Sequence, residues 1–190
     1  MRIIGGKLKN KKLHFPENLK TRPLKDSVRE NIFNILSHSN NVGVDIKNSE
    51  VLDLYAGTGS FGLECVSREA SGVVFVENDL DALTNLKKNI KNLNSQNKTV
   101  LITQSVLEFL NLLTLELYKE KFNIIFLDPP YQDKECIEVI KRIKKKDLLN
   151  KKHIIVIHRE TKSEDHIDKH LNITEKRIYG RSEIFFGKLF

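Results

Sequence analysis

The chain has 190 residues and a mass of 22.0 kDa, with 39% apolar and 30% charged residues, which is typical of a single globular domain. No apolar run approaches the ~20 residues of a membrane span, and the N-terminus has no apolar region of the kind found in a secretory signal. The two cysteines, Cys65 and Cys136, belong to no CxxC pair, which excludes a disulfide framework or a zinc site as the organising feature, and we expect a reducing, cytoplasmic location.

The net charge of +7 is unevenly distributed along the chain. Residues 1–40 carry nine Lys/Arg and three Asp/Glu, residues 41–135 carry nine and fourteen, and residues 136–190 carry fourteen and eight. The two ends are therefore basic and the centre is acidic. This pattern favours a polyanion bound at the periphery and a cationic or polar ligand bound inside.

The first 40 residues are predicted to form a basic N-terminal appendage to a domain of residues 41–190. Residues 2–5 and 11–15 are β-like, are separated by glycine, lysine and asparagine, and indicate a small hairpin or arm. Ser27 and Glu30 have capping-box spacing, and the apolar residues around them repeat at helical spacing. A helix is therefore expected from Ser27 to about Ser37.

From residue 51 onward, predicted strands and helices alternate. The predicted strands are Val51–Leu54, Val73–Val76, Val100–Thr103, Ile124–Leu127, Ile154–Ile157, 173–179 and 184–190. The predicted helices are 60–69, 79–93, one opening at Ser105, and 133–146. This alternation predicts a doubly wound, Rossmann-like α/β fold with a mostly parallel sheet, closed by an antiparallel C-terminal hairpin that turns at Gly180. Ligands of such sheets bind at the carboxyl ends of the strands.

A glycine-rich loop follows the first of these strands. Gly57, Gly59 and Gly62 fit the GxGxxG pattern, and Glu77 ends the next strand, 20 residues beyond Gly57. Glycines allow a ligand to approach the backbone closely, and an acidic residue at this distance accepts hydrogen bonds from ribose hydroxyls. Taken alone, the loop and Glu77 indicate a dinucleotide.

Asp53 changes this interpretation toward S-adenosylmethionine (SAM). A carboxylate four residues before Gly57 is a poor neighbour for a pyrophosphate but suits a ligand that carries an ammonium and a sulfonium. Asp53, Glu77 and Asp128 together would form the acidic centre. Ser105 either caps a helix with Glu108 or contacts the adenine, and both roles remain open. The predicted cofactor-binding residues are Asp53, Ala56, Gly57, Thr58, Gly59, Glu77, Asn78, Ser105 and Val106.

Asp128-Pro129-Pro130-Tyr131 follows the fourth strand and predicts a site for a planar group that bears an amino group. The prolines stiffen the turn and remove two backbone donors. Asp128 and the Pro129 carbonyl can accept hydrogen bonds from the two N–H groups, and Tyr131 can stack on the ring. These hydrogen bonds would direct the nitrogen lone pair toward the methyl group on the sulfonium. Catalysis would then depend on positioning, and no metal is needed. His153 and His158 bracket the fifth strand and are expected to be structural or exposed.

The motifs resemble those of the RsmD family. The matching segments are Met1–Gly6, Thr21–Pro23, Val28–Glu30, Phe33–Leu36, Val51–Leu54, Ala56–Gly59, Phe75–Glu77, Phe126–Tyr131 and Tyr179–Gly180. The resemblance implies a class I SAM-dependent methyltransferase that modifies the N2 of a guanine in 16S ribosomal RNA, within the small ribosomal subunit. Ser105 stands where that family usually has an acidic residue.

Given this substrate, phosphate contacts are expected from the basic N-terminal segment. The predicted RNA-binding residues are Arg2, Lys7, Lys9, Lys11, Lys12 and Arg22. Arg22 lies beside Pro23, and a guanidinium on a rigid loop can bind a phosphate in a bidentate manner. A monomer is expected. The alternatives are an adenine-N6 methyltransferase acting on DNA or RNA, a noncatalytic RNA-binding assembly factor, and a NAD-dependent oxidoreductase, which Asp53 and the two prolines disfavour.

Overall fold

The computed structural model describes residues 1–16, 24–112, 121–130, 132–161, 163 and 165–189. The α-helices of this part of the chain are α1 (Asp26–His38), α2 (Ser60–Ser67), α3 (Leu80–Asn92), α4 (Val106–Leu112) and α5 (Cys136–Lys145). Its strands are β1 (Glu50–Leu54), β2 (Gly72–Val76), β3 (Thr99–Ile102), β4 (Phe122–Leu127), β5 (Leu149–Glu160), β6 (Asn172–Tyr179) and β7 (Ser182–Lys188). The predicted alternation of strands and helices is confirmed.

The described strands form one sheet in the order β3-β2-β1-β4-β5-β7-β6. Strands β1 to β5 pair in parallel, whereas β7 pairs antiparallel with both β5 and β6. The chain winds outward from β1 to β3 and then returns to β4 on the other side of β1. The carboxyl ends of β1 and β4 therefore flank the switch point, where a doubly wound sheet binds its ligands.

Helices cover both faces of the sheet because the strand side chains alternate between the faces. One core joins α1, α2 and α3 to strand residues such as Val51 and Phe126. Phe61 of α2 stacks on Phe126 with ring centroids 4.0 Å apart. The second core joins α4 and α5 to the alternate residues, such as Leu52 and Ile125. The strand ends are thus held rigidly from both sides.

The N-terminal segment packs onto this layered structure. The predicted hairpin is present as a short antiparallel pairing around Arg2 and Lys12, with backbone hydrogen bonds from Ile3 to Lys11 and from Leu13 to Met1. Ile3 and Leu13 enter the core that contains α1. The buried carboxylate of Glu64 on α2 accepts hydrogen bonds from the N–H groups of Ile4 and Gly5, both at 2.7 Å. The first residues are therefore anchored to the body of the protein by hydrogen bonds as well as by apolar packing.

Two local predictions need correction. Helix α1 begins at Asp26, so Ser27 lies inside its first turn and does not cap it. The Asp26 carboxylate accepts a hydrogen bond from Arg29 at 2.9 Å and carries a negative charge where the helix dipole favours one. Strand β5 runs to Glu160, beyond the predicted end at Ile157, because antiparallel pairing with β7 continues to Glu160 and Ser182.

Candidate active site

A cavity of about 540 Å³ opens at the carboxyl ends of the parallel strands. Its wall combines the glycine loop after β1, the residues after β2, the turn after β4 and the end of β5. The predicted site residues that line it are Ala56, Gly57, Thr58, Glu77, Asn78, Asp128, Pro129 and Pro130. Four other predicted residues, Asp53, Gly59, Ser105 and Val106, lie outside the wall. Tyr131 lies outside the described residues.

Gly57 forms the part of the glycine loop that faces the cavity. Its φ is +56°, and a Cβ placed on it would find no atom within 4 Å. Its N–H donates to the Glu77 carboxylate at 2.6 Å. A glycine is required here for the left-handed backbone, and the missing side chain leaves the backbone open to a ligand.

Gly59 faces the protein interior. Its φ is +81°, and a Cβ there would lie 2.4 Å from Leu86 Cδ1 on α3. A Cβ on Gly62 would lie 2.3 Å from Phe75 Cε1 on β2. These two glycines allow the loop and α2 to pack closely against their neighbours. A valine at position 59 would therefore disrupt packing directly, before any effect on a ligand.

The carboxylate of Glu77 lies across the loop at the end of β2. It accepts the N–H of Gly57 at 2.6 Å, that of Asn78 at 2.8 Å and that of Asp79 at 2.9 Å. Asp79 then caps α3 by accepting from Ala82 at 2.8 Å. The glycine loop and the start of α3 are thus tied together by a single acidic side chain at the cavity wall.

Asp53 is buried behind the loop, with 1% of its surface exposed. Its carboxylate accepts a hydrogen bond from the N–H of Gly62 at 2.9 Å, near the start of α2. Burial raises the pKa of Asp53 well above its usual value; the Gly62 N–H opposes the rise, and the nearby charges of Asp128 and Glu77 reinforce it. The three acidic residues are close enough to interact, although Asp53 itself does not face the cavity.

Asp128 follows β4, and its carboxylate is held by His158. The Nδ1 atom of His158 lies 2.7 Å from Oδ1 of Asp128. The side chain of His158 is 6% exposed and that of Asp128 is 26% exposed. Both residues line the cavity, so the pair presents one partly accessible carboxylate beside Pro129 and Pro130.

Arg159 holds the same turn from the opposite face of the sheet. Its guanidinium donates to the carbonyls of Pro130 at 3.2 Å and Asp133 at 2.8 Å, and it pairs with Asp165 at 2.6 Å. Arg159 is 2% exposed, so these bonds form in a largely water-free environment. The Pro130 carbonyl also accepts the N–H of Asp133 at 2.9 Å, so the turn is held by a local bond as well as from β5.

Val106 is the first residue of α4, which follows the edge strand β3, and Ser105 directly precedes it. The hydroxyl and the N–H of Ser105 both bond to the Glu108 carboxylate, at 2.7 and 3.0 Å, and the Glu108 N–H reaches back to the hydroxyl at 3.3 Å. These bonds lower the pKa of Glu108. The predicted capping box is present, and a contact of Ser105 with adenine stays a prediction.

The predicted RNA-binding residues lie along the N-terminal segment. Lys7 forms an ion pair of 2.7 Å with Glu69, just beyond the carboxyl end of α2 and so at the opposite end of the sheet from the cavity. Lys11 and Lys12 are exposed on the strand-like stretch that leads to Phe15, which lines the cavity. The same arm also carries Arg2 and Lys9. Arg22 lies outside the described residues.

Sequence reasoning missed His158 and Arg159. His158 was expected to be structural or exposed; the structure excludes exposure and shows a contact with Asp128 that the sequence analysis did not anticipate. A signal was available, because the apolar runs Ile124–Leu127 and Ile154–Ile157 are each followed by a polar residue. The two strands pair in parallel with Leu127 opposite Ile157, which brings the next residues, Asp128 and His158, side by side.

The described residues contain no group of three or more His, Cys, Asp or Glu side chains that could hold a metal ion. Within the same ranges, no helix has the length and apolarity needed to cross a membrane.

The strand order, the antiparallel β7 and the cavity at the switch point define a class I methyltransferase fold. The Escherichia coli structure described as "Putative methyltransferase yhhF" matches with a TM-score of 0.84 at 25% identity, over 100% of this chain and 97% of that chain. The "putative methylase HI0767" from Haemophilus influenzae matches with a TM-score of 0.76 at 28% identity, over 100% and 98% of the two chains.

The family is equally clear. The family model described as "Conserved hypothetical protein 95" matches residues 1–188, and the chain belongs to this family, that of RsmD. "Ribosomal RNA small subunit methyltransferase D" of Buchnera aphidicola is 32% identical over 183 residues, 96% of this chain and 90% of that protein. The protein of the same name from Escherichia coli K12 is 31% identical over 163 residues, 86% and 76% of the two chains.

Proposed function

We propose that this protein transfers a methyl group from SAM to the exocyclic N2 of a guanine in 16S ribosomal RNA, within the small ribosomal subunit. The observation that carries the proposal is the cavity in which Asp128, Pro129 and Pro130 face the glycine loop and Glu77. The relatives named as methyltransferases of small-subunit ribosomal RNA support the RNA substrate. The choice of guanine N2 follows from the RsmD motifs.

The residues of the cavity fit SAM. Its volume of about 540 Å³ is in the usual range for small-molecule sites. The open side of Gly57 leaves the backbone accessible, and the Glu77 carboxylate at the wall is an acceptor for ribose hydroxyls. Glu77 and Asp128 are the acidic residues of the cavity wall and favour a ligand with positive charge, whereas Asp53 is buried behind the loop with a raised pKa. When bound, SAM supplies a methyl group that is activated for attack by a nucleophile.

The residues after β4 act on the base. An exocyclic amino nitrogen is a weak nucleophile because its lone pair is conjugated with the ring. Asp128 and the Pro129 carbonyl would accept hydrogen bonds from its two N–H groups, which orients the lone pair toward the methyl group. On transfer, the bond between the methyl carbon and sulfur would break as the new N–C bond forms, and the methylated nitrogen would release one proton to water. Fixed acceptors placed before the reaction lower the barrier through positioning and electrostatics. Tyr131 is proposed to stack on the same base.

The remaining residues assigned to the cofactor are proposed to act either by direct contact or through the glycine loop. Ala56, Thr58 and Asn78 line the cavity and are proposed to contact SAM directly. Asp53 and Gly59 are proposed to act through the loop, since Asp53 holds the Gly62 N–H and Gly59 packs on Leu86. Ser105 and Val106, at the start of α4, are proposed to flank the adenine.

RNA binding is assigned to residues 1–40 and catalysis to residues 41–190. The division is one of function, because Ile3 and Leu13 pack into the same core as α1. A base buried in RNA structure must be displaced to reach the cavity, so loop nucleotides are the expected target. The phosphates of that loop would contact the basic arm beside Phe15. The reaction is placed in the cytoplasm, with a monomeric enzyme that requires no metal.

The test is methyl transfer from labelled SAM to small ribosomal subunits that lack the modification, followed by digestion to nucleosides. N2-methylguanosine in 16S RNA is the expected product. N6-methyladenosine would instead identify an adenine methyltransferase. If RNA binds but no methyl group is transferred, the chain is a noncatalytic assembly factor and the proposal fails.

A further inference from the structure

We propose that His158 is a positioning residue that orients the Asp128 carboxylate toward the amino group of the substrate base. The inference rests on the proposed function, because it assigns His158 a role in the same methyl transfer. It adds a residue outside the Asp-Pro-Pro-Tyr motif, contributed by a different strand.

The contact is fixed by the sheet. Strands β4 and β5 pair in parallel, with Phe126 opposite Val156 and Leu127 opposite Ile157. The next step of this register puts Asp128 beside His158, on the face that Phe126 and Val156 share. The position of the imidazole relative to the carboxylate is therefore determined by backbone hydrogen bonds in the centre of the sheet, which are among the most rigid parts of a fold.

The direction of the hydrogen bond follows from its partners. An ionised carboxylate can only accept, so Nδ1 of His158 must carry the hydrogen across the 2.7 Å separation from Oδ1 of Asp128. A bond to one carboxylate oxygen fixes the rotation of the group. The other oxygen, on a side chain that is 26% exposed, is then directed to accept from a ligand in the cavity.

A purely structural role explains the site poorly. Position 158 is 5% exposed and follows four apolar residues, Ile154 to Ile157, so an apolar side chain would continue the core. A buried imidazole needs a hydrogen-bond partner to offset its desolvation. The partner here is the carboxylate that the proposed reaction uses, on the wall of the cavity that would hold the reacting groups.

The test compares three substitutions at one position. Asparagine places an N–H donor near the position of Nδ1, whereas glutamine of similar polarity extends past it, and leucine removes the donor. We expect His158→Asn to keep kcat within a few-fold of wild type. His158→Gln and His158→Leu should lower kcat about 10- to 100-fold, as expected for a misplaced reacting group, with unchanged affinity for SAM and unchanged KM for the subunits.

A double-mutant cycle separates positioning from a general loss of structure. In an Asp128→Asn background, His158→Leu should cost little further activity, because the group it orients has already been replaced. His153→Asn is the matched control at the other end of β5; His153 Nδ1 contacts the carbonyl of Asn150 at 2.8 Å, outside the cavity. This variant should retain full activity.

The outcomes distinguish the two proposals. If wild type transfers no methyl group to guanine, the proposed function fails and this inference with it. If wild type is active and His158→Gln and His158→Leu fold and turn over as wild type, only the role of His158 is overturned. Equal losses in the asparagine and glutamine variants, or full additivity in the cycle, would also overturn it, because neither is compatible with a specific Nδ1 contact.

Discussion

Gly57→Ala should weaken SAM binding by a steric effect that is separate from its effect on the stability of the fold. Position 57 combines a φ of +56° with open space on its cavity side. The added methyl group therefore strains the backbone and occupies the space through which the ligand approaches the loop. The first effect acts on the unliganded protein, and the second acts only when SAM is bound.

Both magnitudes can be estimated from the structure. A left-handed conformation costs a residue with a Cβ about 1–2 kcal/mol. For a chain of this length, this lowers the melting temperature by about 2–8 °C. Forcing a methyl group between loop and ligand costs about 1–3 kcal/mol by analogy with overpacked cores, which corresponds to a loss of affinity of roughly 5- to 150-fold.

Gly43→Ala is the matched control. Gly43 has a φ of +66°, and the nearest atom to its added Cβ would be the flexible Lys188 Nζ at 3.7 Å. It lies in the connection from α1 to β1, at the end of the sheet opposite the cavity. The substitution should produce a similar fall in melting temperature with no change in SAM affinity.

Thermal unfolding and titration calorimetry with SAM measure the two quantities separately. The reasoning is refuted if Gly57→Ala loses stability but binds SAM with wild-type affinity, because the loop would then not contact the ligand at this position. It is also refuted if Gly43→Ala weakens SAM binding to the same extent, because the loss would then follow from general destabilisation.

Three further predictions concern the base, the core and the RNA. Asp128→Ala should retain SAM binding in calorimetry but reduce turnover about 10²–10³-fold, and turnover within a few-fold of wild type would contradict its role. Burial raises the pKa of the Cys65 thiol and raises that of Cys136 to about 12. Neither thiol should therefore react with a thiol reagent at pH 8 until the protein is denatured. Rapid labelling of the native protein would contradict the described packing. Neutralising four arm lysines together should weaken RNA binding and flatten its salt dependence by roughly 0.7 in slope per lost contact, with SAM affinity unchanged. An unchanged slope would show that these lysines do not contact the RNA. The four residues are Lys7, Lys9, Lys11 and Lys12.

The sequence predicts the strands of the sheet well because each strand is indicated by a pattern of neighbouring residues. Short, mainly apolar runs predict the buried parallel strands, and the polar or glycine-containing segments that follow them predict the loops at the strand ends. The strand ends at Leu54, Val76 and Leu127 agree with the structure. The capping box at Ser105 and Glu108 is also local and is confirmed by its hydrogen bonds.

The remaining features depend on which strands are neighbours. The spacing of Asp53 and Gly57 predicts that both face one ligand, but alternation along β1 turns Asp53 toward α2 and the Gly62 N–H. The contact between Asp128 and His158 spans 30 positions and requires the pairing of β4 with β5. The pairing of β4 with β5 cannot be inferred from residue spacing alone.

The site is held from several elements, and this suits a reaction that depends on positioning. At the turn proposed to hold the base, His158 and Arg159 approach from opposite faces of the sheet, at the carboxylate and at the carbonyls. At the loop proposed to hold SAM, the side-chain amide of Asn89 on α3, only 1% exposed, donates to the Thr58 carbonyl at 3.0 Å. The same amide accepts from the His14 N–H at 2.6 Å, so the segment that brings Phe15 to the cavity is fixed to the glycine loop. Because a conjugated amine gains reactivity mainly from orientation, rigid placement of both reacting partners is the chief contribution that such a fold can make.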